Sequence, residues 1–99
     1  MQQISVLELK KKLEDGESFQ LVDVREPWEH ELFNIGGMLI PLSSIMDCME
    51  KLGGNGPVIF YCQKGIRSQI AIQRLEQKML TNNFYNLRGG IDAWIKETQ

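Results

Sequence analysis

Basic excess, long apolar runs and histidine are all scarce in this 99-residue chain, and each scarcity removes a class of function. Eleven Lys and Arg stand against thirteen Asp and Glu, a formal net charge of −2. That balance argues against a general nucleic-acid or membrane-surface binder, which usually carries a basic excess. Any anion site must therefore come from local geometry. No apolar run approaches the roughly 20 residues needed to span a bilayer. The start, Met1-Gln2-Gln3-Ile4, lacks a basic region followed by an apolar stretch. The expectation is an unexported, cytoplasmic protein. Cys48 and Cys62 are the only cysteines and form no Cys-x-x-Cys or Cys/His cluster, so neither a disulfide framework nor a zinc site is expected. What is present, 42% hydrophobic and 24% charged residues, suffices for one compact core, and residues 1–99 read as a single domain.

Helical and strand-like patterns alternate along the chain. Ser5-Val6-Leu7-Glu8 reads as a capping box, and Val6, Leu9 and Leu13 mark one helical face until Asp15-Gly16 ends it. Phe19-Gln20-Leu21-Val22-Asp23-Val24 reads as a buried strand stopped by Glu26-Pro27, with a helical turn over residues 27–31. Met38-Leu39-Ile40 is a brief strand, after which Ser43 and Ser44 offer N-caps for a helix with the stripe Ile45, Cys48, Met49 and Leu52. The turn-rich stretch Gly53-Gly54-Asn55-Gly56-Pro57 introduces Val58-Ile59-Phe60-Tyr61, the strongest strand candidate and the one expected at the centre of the sheet. A helix beginning near Arg67 or Ser68 places Ala71, Ile72, Leu75 and Met79 on one side and leaves Gln69, Arg74 and Lys78 to solvent. Phe84-Tyr85-Asn86-Leu87 is the last strand, and Arg88-Gly89-Gly90 turns into a helix that buries Ile91, Trp94 and Ile95. This alternation indicates an α/β sandwich with a mainly parallel sheet.

Cys62 falls where the best strand gives way to a helix, the place where open α/β sheets bind ligands. Backbone N–H groups in a tight strand-to-helix loop form an anion-binding nest, and the first helical turn adds unpaired donors. Arg67 and Lys64 supply positive charge, and Gly65 permits a backbone conformation that other residues resist. Thiols near helix N-termini and cations are the reactive ones. Cys62 is thus read as an anionic nucleophile. Cys48, on an apolar stripe with no adjacent cation, is read as core packing.

Three segments resemble the rhodanese-like domains. Leu21-Val22-Asp23-Val24-Arg25-Glu26-Pro27-Trp28-Glu29-His30 is similar to their first signature. Tyr61-Cys62-Gln63-Lys64-Gly65-Ile66-Arg67-Ser68 resembles their active-site loop, and Asn86-Leu87-Arg88-Gly89-Gly90-Ile91-Asp92-Ala93-Trp94 their closing motif. The resemblance implies a three-layer α/β/α sandwich around a five-stranded parallel sheet. It also implies transfer of sulfane sulfur from thiosulfate or a protein persulfide to a small thiol, cyanide or a thioredoxin-like acceptor. Cys62 matches the cysteine that carries the persulfide, so no metal or organic cofactor is expected. By the same match, the amides of Gln63, Lys64, Gly65, Ile66, Arg67 and Ser68 cradle the outer sulfur, Arg67 binds the anionic donor, and Asp23 and Arg25 form a supporting ion pair. The chain departs from the family at Phe33-Asn34-Ile35-Gly36-Gly37-Met38, where members often carry Gly-His-Ile-Pro-Gly-Ala.

Rival readings make different demands. A cysteine phosphatase or arsenate reductase places histidine before the cysteine and five residues between it and arginine. Here Tyr61 precedes Cys62, and four residues separate Cys62 from Arg67. A Cys–His hydrolase would have to use His30, which follows Trp28-Glu29 in a segment expected to be partly solvated. Trp28 and Trp94 are read as core or cleft-wall residues. A module that docks a protein partner, or delivers sulfur to one, is the alternative from outside enzyme chemistry.

Overall fold

Val58, Ile59, Phe60 and Tyr61 are apolar without alternation, and a strand of that kind is stable only when both its faces are covered. In the computed structural model, which describes residues 1–54, 56–80 and 83–99, all four are buried in the middle of a five-stranded sheet. The strands are β1 (Gln3–Ile4), β2 (Gln20–Asp23), β3 (Met38–Leu39), β4 (Val58–Tyr61) and β5 (Phe84–Leu87), in the order β1-β5-β4-β2-β3. Every pairing is parallel, with Asp23 opposite Tyr61 and Phe60 opposite Asn86.

The two faces of β4 feed two separate cores. Val58, Phe60 and Cys62 point into one, with Ile45, Ala71, Ile72 and Leu75 against them. Phe60 and Phe84 meet there edge to face, centroids 5.2 Å apart. Ile59 and Tyr61 point into the other, with Val6, Leu9, Leu87 and Ile91. The covering helices are α1 (Val6–Glu14), α3 (Arg67–Glu76) and α4 (Gly90–Thr98), while the short α2 (Pro27–Leu32) follows β2. This is the expected three-layer α/β/α arrangement.

Local expectations hold in part. The Ser5 capping box forms, with Glu8 N–H donating to Ser5 Oγ at 3.1 Å and Ser5 N–H to Glu8 Oε1 at 2.9 Å. Leu13, expected on the buried face of α1, is 43% exposed. Strand β1 has no signal in the sequence, since two residues carry no periodicity. The helix expected after N-caps at Ser43 or Ser44 is a 3-10 segment, Leu42–Lys51, with Pro41 at the N-cap position and no side-chain cap, and it is broken at Cys48 (φ −117°, ψ 20°). Without α-helical spacing Ile45 is still buried, whereas Cys48 and Met49 pack only partly against the core. Gln69, assigned to solvent, is half-buried because its Nε2 donates to the Gly65 carbonyl at 2.9 Å. Asn55, within the expected turn, lies outside the described residues.

Candidate active site

Strand β4 ends at Tyr61 and delivers Cys62 to the floor of a cleft of about 270 Å³ lined by Glu29, Cys62, Gln63, Lys64, Ile66 and Arg67. The residue is 1% exposed. Two backbone amides aim at its sulfur: Gly65 N–H at 3.1 Å and Ser68 N–H, in the first turn of α3, at 3.4 Å. The closing motif explains why the loop can turn its amides inward. Ile91 N–H donates to the Cys62 carbonyl and Asp92 N–H to the Gln63 carbonyl, each at 3.0 Å. The first turn of α4 thus engages two carbonyls that would otherwise compete for space around the thiol. Gly65 makes the bend at φ +88°, and a Cβ there would lie 3.0 Å from Gly89 N; both the dihedral and the contact require glycine.

A buried polar chain runs behind the sulfur. Ser68 Oγ lies 3.3 Å from Cys62 Sγ and makes a short hydrogen bond to Asn86 Oδ1. Asn86 is oriented by its amide, which donates to Gln3 Oε1 at 2.9 Å and to the Gly65 carbonyl at 3.3 Å. A hydroxyl has one proton. With that proton given to Asn86, the Ser68 oxygen is left to the sulfur as an acceptor, available to the S–H of the neutral thiol.

The charged residues group differently from their sequence pattern. Asp23 and Arg25 do form a buried pair, Nη2 to Oδ2 at 2.9 Å. Burial opposes ionisation of Asp23, but hydrogen bonds from Arg25 and His30 outweigh it and hold the carboxyl below its ordinary range. His30 is no free imidazole: its Nδ1 lies 2.9 Å from Asp23 Oδ2, and its side chain is 23% exposed. The pair makes no hydrogen bond to Cys62 among the described residues; Arg25 reaches the loop through Gln63, Nη1 to Oε1 at 3.0 Å, and its guanidinium lies over the Tyr61 ring, 5.7 Å from the centroid. Gln63 in turn donates to Asp92 at 2.7 Å, so its side chain braces the loop from outside. Lys64 and Ile66 are exposed.

Arg67 is not the unencumbered cation that the loop sequence suggests. Glu29 takes both of its terminal nitrogens, Nη1 at 2.7 Å and Nη2 at 2.8 Å. The hydrogen bond from Arg67 pulls the Glu29 carboxyl down to about 2, and Glu29 raises the Arg67 value in return. Sequence reasoning missed Glu29, Asn86 and the α4 amides. Glu29 stands at the third position of a Pro-initiated helix, where a capping-box contact to Glu26 is predictable. Its partner 38 residues away is not. Among the described residues no group of three or more His, Cys, Asp or Glu could hold a metal ion.

A family model described as the Rhodanese-like domain matches residues 5–97. The chain belongs to that family. Among relatives of this rhodanese-like domain, YqhL of Bacillus subtilis is 42% identical over 76 residues, which are 76% of this chain and 60% of YqhL. YtwF of the same organism, named a putative sulfurtransferase, is 32% identical over 100 residues, covering 100% of this chain and 95% of YtwF. The probable adenylyltransferase/sulfurtransferase MoeZ of Mycobacterium tuberculosis is 34% identical over 97% of this chain, which spans only 25% of MoeZ. The crystal structure of a rhodanese-like domain protein from Staphylococcus aureus superposes with a TM-score of 0.85 at 33% identity, covering 95% of this chain and 91% of the other.

Proposed function

We propose that residues 1–99 form one sulfurtransferase domain that moves sulfane sulfur from thiosulfate or another persulfide donor to a thiophilic acceptor through a persulfide on Cys62. The observation that carries this reading is the pair of amides, Gly65 and Ser68, converging on the Cys62 sulfur at the floor of an open cleft. Donors fixed in that geometry stabilise negative charge on sulfur without reorganising during the reaction. The sulfurtransferase names of YtwF and MoeZ point the same way.

The chemistry is two displacements. Cys62 thiolate attacks the outer sulfur of thiosulfate; a sulfur–sulfur bond forms on Cys62, the donor's own breaks, and its electron pair leaves on sulfite. An acceptor thiolate or cyanide then attacks the outer sulfur and releases the Cys62 thiolate. Charge balances in both steps, and the covalent persulfide replaces any separate sulfur carrier or metal. Gln63, Lys64, Gly65, Ile66, Arg67 and Ser68 contribute the amides around the outer sulfur, and the Asp23–Arg25 pair steadies the loop through Gln63. Free thiols suit a reducing compartment such as the cytoplasm, and no helix among the described residues is long and apolar enough to cross a membrane.

Delivery to a protein is the reading favoured for the acceptor. Trp28 (64% exposed), Leu32 (78%) and Phe33 (41%) line an apolar hollow of about 330 Å³ that shares Glu29 and Gln63 with the Cys62 cleft. A thioredoxin-like protein can cover that surface, whereas cyanide or a small thiol has no use for it. Intact mass after incubation with thiosulfate tests the central claim. One added sulfur atom, absent from Cys62→Ala and discharged by an acceptor with ping-pong kinetics, is the expected result. A folded protein that gains no sulfur from any donor ends it.

A further inference from the structure

Two cations line the Cys62 cleft, Arg67 and Lys64, and one of them is already engaged. Both carboxylate oxygens of Glu29 accept from the terminal nitrogens of Arg67, at 2.7 and 2.8 Å. Glu29 is not a loose surface partner. Its side chain is 10% exposed, and Oε1 also accepts from the Glu26 N–H at 3.0 Å, which ties it to the first turn of α2. Arg67 holds the carboxyl ionised down to about 2, so the charge persists at any working pH.

A planar carboxylate is the geometric match for the guanidinium fork, and the oxygens of a sulfonate group compete for the same donors. A dianionic donor must therefore displace Glu29 or bind beside it against like-charge repulsion. A hydropersulfide with at most one charge presents its outer sulfur to Cys62 without needing the fork. We propose that Glu29 is a specificity-determining residue that biases sulfur donation to Cys62 away from dianionic thiosulfate and toward hydropersulfides of low charge. The inference rests on the Cys62 persulfide reading. In the favoured step, Cys62 thiolate attacks the outer sulfur of R–S–SH. The new sulfur–sulfur bond forms as the donor's breaks, the electron pair leaves on R–S⁻, and the proton stays with the transferred sulfur. No oxidant or reductant is consumed.

The test is Glu29→Gln, because glutamine also serves at the third helical position of a capping box and keeps the shape while losing the charge. Sulfur loading is followed by intact mass in single turnover with two probes, thiosulfate and the hydropersulfide of 2-mercaptoethanol. The second-order rate with thiosulfate is expected to rise about tenfold and that with the hydropersulfide to change by less than about twofold. A merely structural role would move both rates together. Equal changes, or none, overturn the specificity role while leaving Cys62 chemistry intact; wild-type protein that loads from neither donor overturns both. Should the variant not fold, the salt dependence of Lys64→Ala decides, because among the described cleft-lining residues Arg67 is then the remaining cation. A cleft whose arginine is neutralised keeps its thiosulfate rate as salt rises, whereas a steep fall marks a free cationic site and overturns the proposal.

Discussion

Cys62 and Cys48 carry the same thiol in unlike surroundings. Cys48 sits at the break in the 3-10 segment and packs partly against the core. Cys62 has two amides, a hydroxyl and a cleft. The buried Ser68 hydroxyl belongs to that network as much as the sulfur does, since Asn86 Oδ1 depends on it. Ser68→Ala leaves the residue 68 amide in place but strands the Asn86 oxygen in a fully buried position. The expected cost is about 1–3 kcal/mol, the usual penalty for an orphaned buried acceptor. Sulfur loading of Cys62 should persist. Urea unfolding and intact mass read the two effects separately; undiminished stability, or complete loss of loading, contradicts this division of labour.

The element that makes the site is the turn between β4 and α3, and its geometry hinges on Gly65. Gly65→Ala forces a Cβ into a left-handed dihedral and to within 3.0 Å of Gly89 N, with a cost on the order of 1–3 kcal/mol. Because the amide aimed at Cys62 belongs to the same residue, loading by thiosulfate should slow about tenfold or more as that donor shifts. An alanine variant that loads at the wild-type rate would falsify the claim that this bend sets the site. Much of this was legible in the sequence, because a buried strand, a glycine and a helix start are local signals. Tyr61, Cys62, Gly65 and Ser68 could be placed from their own neighbours. Strand β1 could not, since Gln3 and Ile4 are recruited only by pairing with Asn86 and Leu87. The break at Cys48 was equally hidden: an apolar stripe records which side faces the core, not whether the backbone turns with three or nearly four residues. Glu29 and Asn86 escaped for the same reason as β1, their partners lying 38 and 18 residues away.

At the scale of the whole molecule, the Glu29–Arg67 pair ties α2 to α3 at the cleft and the His30–Asp23 contact ties α2 to β2 behind it, and both carboxylates involved have depressed values. Arg67, by hydrogen bonding, holds Glu29 at about 2 instead of 4.5; Arg25 and His30 hold Asp23 below 3.8 against the opposing effect of burial. A carboxyl that ionises more readily in the folded chain binds fewer protons there than in the unfolded chain, so stability rises with pH across the interval between its two values. The contribution of Glu29 is therefore complete above its unfolded value of 4.5 and is lost as pH falls toward about 2. Acid should loosen the α2–α3 link in that window. Glu29→Gln removes the titrating group, and its unfolding free energy should decline less steeply with acidification from pH 4.5 to 2 than that of the wild type. Urea titrations of both proteins at several pH values across this window measure the two slopes. Identical slopes would mean that the carboxylate is no better paired in the folded protein than in the unfolded chain, and the pairing that neutralises Arg67 would lose its support.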